Sequence, residues 1–238
     1  MSEKLDGVRC FWTGSVMYSR NGNRFFFPKF FTKGWPNSQL DGELFIGRGR
    51  FSETLSAVKK SVPIDEQWKN VRYLVFDCPG LKKPFKQRIK AMEEVIGAID
   101  NPYIKCHAHR PCGGFKDLFD ELDKVNKIEG EGLMLRDPDS FYENRRSSTL
   151  MKVKTFHDDE ATVLGYKPGT GRCQGMVGAL KVRNTHGVEF EVGSGLTDAE
   201  RRKPPKIGSK ITYKYQEFNK DSGKPRFPTF MRAFDDSI

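Results

Sequence analysis

A chain of 238 residues, with 37% hydrophobic and 30% charged residues, suits a soluble globular protein of one large or two modest domains. The composition excludes a disordered chain, and no apolar run reaches membrane-spanning length. A net charge of +10 favours a polyanionic partner, nucleic acid first, and five scattered cysteines point to free thiols in a reducing compartment rather than a disulfide framework.

Taken in chain order, Val8–Thr13 and Val16–Arg20 read as strands joined by a hairpin at Gly14-Ser15, with a further turn at Asn21-Gly22. The aromatic run Phe25–Phe31 reads as core. Leu40–Ile46 is a strand, Phe51–Lys60 a helix capped by Ser52, and Arg72–Asp77 a strand. Pro84 opens a helix reaching Ile99, Tyr103–Ala108 alternates as a strand, and Phe115–Val125 is helical. Gly132–Arg136 and Leu150–Lys154 complete a mixed α/β region. After it come strands at Ala161–Lys167, Met176–Arg183, Val188–Gly193 and Lys210–Phe218, with one short helix at Thr197–Arg202 opened by a capping-box pattern. That second pattern suggests a small barrel of the OB type, with a boundary near residue 157.

Several short stretches carry chemistry. In Lys4-Leu5-Asp6-Gly7-Val8-Arg9, Lys4 and Asp6 share a strand face, Gly7 admits a bulky ligand, and Arg9 offers a planar fork to a phosphate or ribose edge. The pattern suits a lysine nucleophile acting on a nucleotide phosphate, though alone it also fits an exposed strand-to-turn lysine. Asp41-Gly42-Glu43 puts two carboxylates on one strand face, able to accept ribose hydroxyls or to hold water on a hard cation. Phe76 is either core or a platform for a base. Glu131 sits between glycines ahead of an apolar strand, a position suited to a phosphate-bridging metal. Lys152 and Lys154 share one face, either solvated or turned toward a cleft that holds Lys4.

Together with Ser19-Arg20-Asn21-Gly22 and Val75-Phe76-Asp77, these stretches form an ordered series that resembles the nucleotidyltransferase motifs of ATP-dependent DNA ligases, in particular the minimal bacterial ligase E type. Ser2–Arg9, Leu40–Leu44 and Gly193–Arg202 are especially similar. The resemblance implies an α+β protein: a mixed α/β adenylation domain over 1–157 followed by an OB-fold barrel over 158–238. It implies a ligase that seals 5′-phosphate/3′-hydroxyl nicks in duplex DNA through lysyl-AMP and DNA-adenylate intermediates, with ATP and Mg²⁺, or Mn²⁺, as cofactors. The expected protein is a monomer with nicked double-stranded DNA as partner and no membrane association.

The same resemblance assigns roles. Lys4 is the expected nucleophile. Arg9 and Glu43 contact the ribose region, Phe76 stacks on adenine, and Glu131, with Glu43, holds the metal. Lys152 and Lys154 bind the AMP phosphate. Arg20 and Arg146 match positions that contact the nucleotide or the nick phosphate. Arg232, in the last motif, orients the pyrophosphate. Larger members end that motif differently from Ala233-Phe234-Asp235-Asp236. Lys181, Arg183, Arg201, Arg202, Lys203 and Lys206 are candidates for duplex contact. Because the motif series is shared, an RNA ligase or a capping-type nucleotidyltransferase is the alternative enzyme, and an inactive nick-binding fragment the alternative without catalysis.

Two features stand apart from the series. Cys106-His107-Ala108-His109-Arg110-Pro111-Cys112 holds potential zinc ligands, but its spacing is not that of a common structural site and its alternation is that of an ordinary strand. Only Met1, Ser2 and Glu3 precede Lys4, where relatives carry residues that wall the adenine pocket. A native start at Met1 implies the cytoplasm, and a removed leader would allow the periplasm.

Overall fold

The computed structural model describes residues 1–219 and 222–234. The chain divides into two compact units, Met1–Lys154 and Thr155–Ile238.

In chain order the first unit runs β1 (Ser2–Glu3), β2 (Val8–Trp12), β3 (Met17–Ser19), β4 (Arg24–Phe25), β5 (Leu40–Phe45), α1 (Phe51–Val58) and α2 (Asp65–Trp68). It continues with β6 (Arg72–Asp77), α3 (Phe85–Gly97), β7 (Ile104–Cys106), α4 (Phe115–Lys127), β8 (Leu133–Arg136) and β9 (Leu150–Val153). Gly14 turns the expected hairpin at φ 104°, and Trp12 pairs with Met17 across it. A Cβ at Gly14 would lie 2.2 Å from the Asn37 carbonyl oxygen, so glycine is required there.

Six strands form one sheet in the order β4-β3-β2-β5-β6-β7. Its pairs are antiparallel except β6 with β7, whose parallel alignment needs a crossover, and α3 supplies it. Alternation sends Cys10, Trp12, Leu44, Tyr73 and Val75 into a core completed by Val58, Trp68, Met92 and Ile96. The other face carries Arg9 opposite Glu43, with Glu43 opposite Leu74. A second sheet, β1-β8-β9, packs with α4 around Met1, Leu118, Leu122, Val125 and Leu133.

Ser52 is not the cap expected of α1. The helix begins one residue earlier, with Arg50 at the N-cap and no side-chain cap bond, so Ser52 lies inside the first turn. Thr54 Oγ1 instead donates to the Arg50 carbonyl at 3.0 Å.

The second unit comprises β10 (His157–Pro168), a 3₁₀ turn at Gly171–Cys173, β11 (Val177–Asn184), β12 (Glu189–Val192), α5 (Asp198–Arg202), β13 (Lys210–Tyr215) and β14 (Thr229–Ala233). The five strands are antiparallel neighbours in the order β12-β11-β10-β13-β14. Val163, Leu180, Val182, Val192, Ile211 and Tyr213 fill its core. The strands are OB-like, but among the described residues the ladder does not close into a barrel. Among the described residues the two sheet edges meet only at the isolated parallel bridge Ser194–Thr229, where Phe230 N donates to Ser194 O at 2.8 Å. Gly195 makes that approach possible at φ 87°, since a Cβ there would sit 2.3 Å from Phe230 O. Thr197 and Glu200 form the expected capping box of α5. Among the described residues no helix is long and apolar enough to cross a membrane.

Candidate active site

Lys4 leaves β1 with its amide bonded to Gly132 O at 2.8 Å, which fixes the root of its side chain against the start of β8. Gly132 has φ 139°, and a Cβ there would lie 2.3 Å from Val153 O. Only glycine allows the two chains to approach this closely, and the approach brings Glu131 beside Lys4. Lys4 Nζ donates to Glu131 Oε2 at 2.5 Å. The other oxygen of Glu131 accepts from Lys154 Nζ. One carboxylate thus joins two ammoniums, of which Lys4 keeps about a quarter of its side chain exposed (26%) and Lys154 only 6%. Burial lowers the Lys154 pKa below its ordinary value, the bond to Glu131 opposes this, and Lys4 and Lys152 add to the lowering.

The sheet face beside this chain holds Arg9, Glu43 and Phe76. Arg9 grips Asp41 in a two-pronged pair, Nε to Oδ1 at 3.0 Å and Nη2 to Oδ2 at 2.6 Å. Tyr142 OH donates to the same Asp41 oxygen at 2.8 Å. The fully buried Asp41 is therefore satisfied, and Arg9 is held in one orientation. The hydrogen bond to Asp41 raises the Arg9 pKa against the opposing effect of its own burial. Burial pushes the Glu43 carboxyl up to about 8, with Lys4 and Arg9 pulling it back and Asp41 and Glu131 pushing further.

Phe76 owes its position to an irregularity. Asp41 pairs with Asp77 and Gly42 with Val75, which leaves Phe76 as the extra residue of a bulge, a device that re-aims a side chain. Its ring centroid lies 5.9 Å from the Arg9 guanidinium carbon. Behind it Asp77 is fully buried and paired with Arg88, Nε to Oδ1 at 2.7 Å and Nη2 to Oδ2 at 3.0 Å.

A cleft of about 280 Å³ opens on these groups. Of the residues singled out from sequence, Lys4, Arg9, Arg20, Glu43 and Phe76 line it, and Glu131 and Lys154 join it through Lys4. Lys152 is exposed on β9 opposite Met134 and Arg146 is exposed in the preceding loop; neither lines the cleft. Arg232 belongs to the second unit, on β14, where its Nε donates to Thr212 Oγ1 at 3.4 Å. The ending Asp235-Asp236 lies outside the described residues.

Lining residues that the sequence does not single out for the site include Phe85, His107, His109, Met134 and Arg136. The sequence offers the histidines only as potential zinc ligands, and among the described residues no group of three or more His, Cys, Asp or Glu could hold a metal. Ser2 and Glu3, just ahead of Lys4, also line the cleft. Met1 and Arg110 exchange backbone bonds, Met1 N to Arg110 O at 2.7 Å and Arg110 N to Met1 O at 2.9 Å. Of the proposed duplex contacts, Arg201 is a correction: its guanidinium donates to the carbonyls of Val177, Gly178 and Gly193, so it ties α5 to the sheet. Lys181, Arg183, Arg202, Lys203 and Lys206 are exposed, with Arg183 paired to Glu189.

Comparison with known proteins gives a consistent picture. A family model described as ATP dependent DNA ligase domain matches residues 1–154, and one described as DNA ligase OB-like domain matches residues 168–233. The chain is 39% identical over 232 residues to a DNA ligase of Haemophilus influenzae, covering 98% of this chain and 85% of that one. A solved structure from a structure–function study of Lig E DNA ligases matches with a TM-score of 0.92 and 39% identity, over 98% of this chain and 91% of that chain. The adenylated DNA ligase of Chlorella virus matches with a TM-score of 0.55 and 25% identity, over 100% of this chain and 92% of that chain.

Proposed function

The chain belongs to the ATP-dependent DNA ligases, and from that premise we propose that Lys4 is the nucleophile that takes AMP from ATP and passes it to a nick. The observation that carries this reading is the Lys4–Glu131–Lys154 chain at one cleft with Arg9, Glu43 and Phe76. That arrangement supports reading Lys4 as the nucleophile, Glu131 as its proton acceptor and Lys154 as a phosphate-neutralising cation.

In the first step Lys4 Nζ gives a proton to Glu131 Oε2 and attacks the α-phosphorus. A P–N bond forms, and the bond from that phosphorus to the pyrophosphate oxygen breaks. Lys154 offsets charge on the phosphate, Arg9 meets the ribose edge, and Phe76 supports the base. In the second step an oxygen of the nick 5′-phosphate attacks the same phosphorus, the P–N bond breaks and Lys4 is restored. In the third the 3′-hydroxyl attacks the 5′-phosphate and AMP leaves. Lys152, Arg20 and Arg146 are assigned to phosphates of the nucleotide or nick. The pyrophosphate role of Arg232 rests on its motif alone.

Glu43 and Glu131 supply two carboxylates, a set that suits Mg²⁺ or Mn²⁺ because such ions are held by one or two carboxylates plus substrate phosphates. The lack of a ready cage among the described residues fits a cation that arrives with the nucleotide. When bound, it supplies positive charge to the transferring phosphoryl group. The protein is further proposed to act as a monomer on nicked duplex DNA.

The test is incubation with a divalent cation and ATP labelled at the α-phosphate, followed by denaturing electrophoresis. Wild-type protein should carry the label and Lys4→Ala none; equal labelling of the two would remove Lys4 from the mechanism. A nicked duplex added to labelled protein should take the label up and then be sealed, with release of AMP.

A further inference from the structure

His107 and His109 are the titratable pair that the adenylation chemistry leaves unassigned. Their backbone continues β7 alongside β6: His107 N donates to Val75 O at 2.7 Å, one residue from Phe76. The pairing that carries Phe76 to the cleft therefore carries both imidazoles to its side, and both line it.

The hydrogen bonds fix the proton on each ring. His107 Nε2 lies 2.7 Å from Glu3 O. A carbonyl oxygen only accepts, so Nε2 carries the hydrogen, and the ring holds the main chain next to Lys4. His109 Nδ1 lies 2.8 Å from His107 O, so here Nδ1 carries the hydrogen and Nε2 keeps a lone pair. Burial drives the His109 pKa down to about 4, which keeps the ring neutral at pH 7. Phe85 packs on it edge-on at 5.4 Å between ring centroids. No hydrogen bond from a described residue reaches His109 Nε2, and it is not among the fully enclosed unsatisfied atoms. The ring thus offers an acceptor, and no second donor of its own, to a cleft that Phe76, Phe85, Met134 and Arg136 also line.

We propose that His109 Nε2 reads the six-position of the purine, accepting a hydrogen bond from the exocyclic amine of adenine and rejecting a 6-oxo purine. The proposal rests on the reading that Phe76 supports the base. A 6-amino group is a donor and matches the lone pair. A 6-oxo group would set one acceptor against another in a confined site, leaving both unsatisfied.

The experiment compares formation of the covalent lysyl-nucleotide from α-labelled ATP, purine riboside triphosphate, which lacks the amine, and inosine triphosphate, which carries the 6-oxo group. Wild-type protein should prefer ATP over the riboside triphosphate about three- to tenfold, the value of one hydrogen bond, and over inosine triphosphate by more. His109→Phe keeps the aromatic packing on Phe85 and should bring the first ratio to about one. His109→Gln, whose amide can turn to present oxygen or NH₂, should use ATP and inosine triphosphate at comparable rates. Unchanged ratios in His109→Phe, with melting as in wild type, overturn the proposal. If that variant does not fold, unchanged ratios in His109→Gln overturn it. Lys4→Ala run in parallel separates the two levels. Label persisting there overturns the reading of the cleft, whereas its loss together with unchanged base preference in the His109 variants overturns the assignment of His109 alone.

Discussion

Glu43 faces Arg9 across a strand pair and lies near Lys4, yet its carboxyl prefers the protonated form. Burial outweighs both cations and sets its pKa at about 8 against an ordinary 4.5. The consequence for stability has a definite sign. Between pH 4.5 and 8 the folded chain holds a proton at Glu43 that the unfolded chain has released, so stability falls as pH rises through this window and stays low above it. Glu43→Gln removes the titration. Without nucleotide or metal, the variant should melt about 10 °C or more above wild type at pH 8.5, at about 1.4 kcal/mol per pH unit across the window and about 2–4 °C per kcal/mol for a chain of this size, and the gap should vanish near pH 4.5. A thermal melt series across pH reads this directly, and a constant gap across the range would show that the effect is not the charge. The same substitution should slow lysyl-AMP formation, because it removes a carboxylate proposed for the metal. Asp41, two residues away and more deeply buried, accepts two hydrogen bonds from Arg9 and one from Tyr142.

Elements with a clean hydrophobic period were legible in the sequence, and those defined by long-range partners were not. Leu40–Phe45 and Arg72–Asp77 emerge as strands, and Phe115–Lys127 as a helix, because alternation and helical spacing there are set by burial on one face. Ser2–Glu3 has only two residues and becomes a strand by pairing with Leu133 and Met134. Asp65–Trp68 is a single turn, too short to show a period. In the site, Lys4, Arg9, Glu43 and Phe76 were readable as members of a motif series, whereas Phe85, Arg136 and the two histidines reach the cleft through tertiary contacts. Arg88 shows the limit of hydropathy within an element. A helix arginine reads as solvated, yet Arg88 is fully buried on α3 and its guanidinium also donates to the carbonyls of Lys83 at 2.6 Å and Ser140 at 3.0 Å. It joins α3, the end of β6 and the loop after β8 behind Phe76. Arg88→Met would leave Asp77 buried with Arg136 at 3.3 Å as its remaining cation. The expected cost is about 3–5 kcal/mol, the range for breaking a buried pair on one side. Urea unfolding would measure it, and a loss under about 1 kcal/mol would mean that Arg136 compensates fully.

At the scale of the whole molecule, the net charge of +10 bears on how a chain of two small units holds a duplex. Family matches fall on a ligase segment and an OB-like segment, residues 1–154 and 168–233, and if the exposed basic residues of these units hold the duplex, they do so through its phosphates. Such contacts release condensed counterions, and log affinity then falls linearly with log salt, by about 0.9 per phosphate neutralised on duplex DNA. Binding to a nicked duplex, followed by fluorescence anisotropy, should weaken by at least about tenfold between 50 and 200 mM salt, with a slope that counts the contacts. Lysyl-AMP formation involves no DNA and should change far less over the same range, so a loss of sealing that tracks the anisotropy locates the salt effect in DNA binding. Exposed Arg202, Lys203 and Lys206 provide the control. Replacing each by Gln should reduce the slope by about 0.9 for every contact actually made and leave the melting temperature unchanged. Arg201 should behave in the opposite way, because its guanidinium is committed to three backbone carbonyls: its replacement should lower stability before it alters the slope. A flat salt profile in the wild type would mean that the duplex is held by contacts other than charge, and would remove the basic surface from the account of binding.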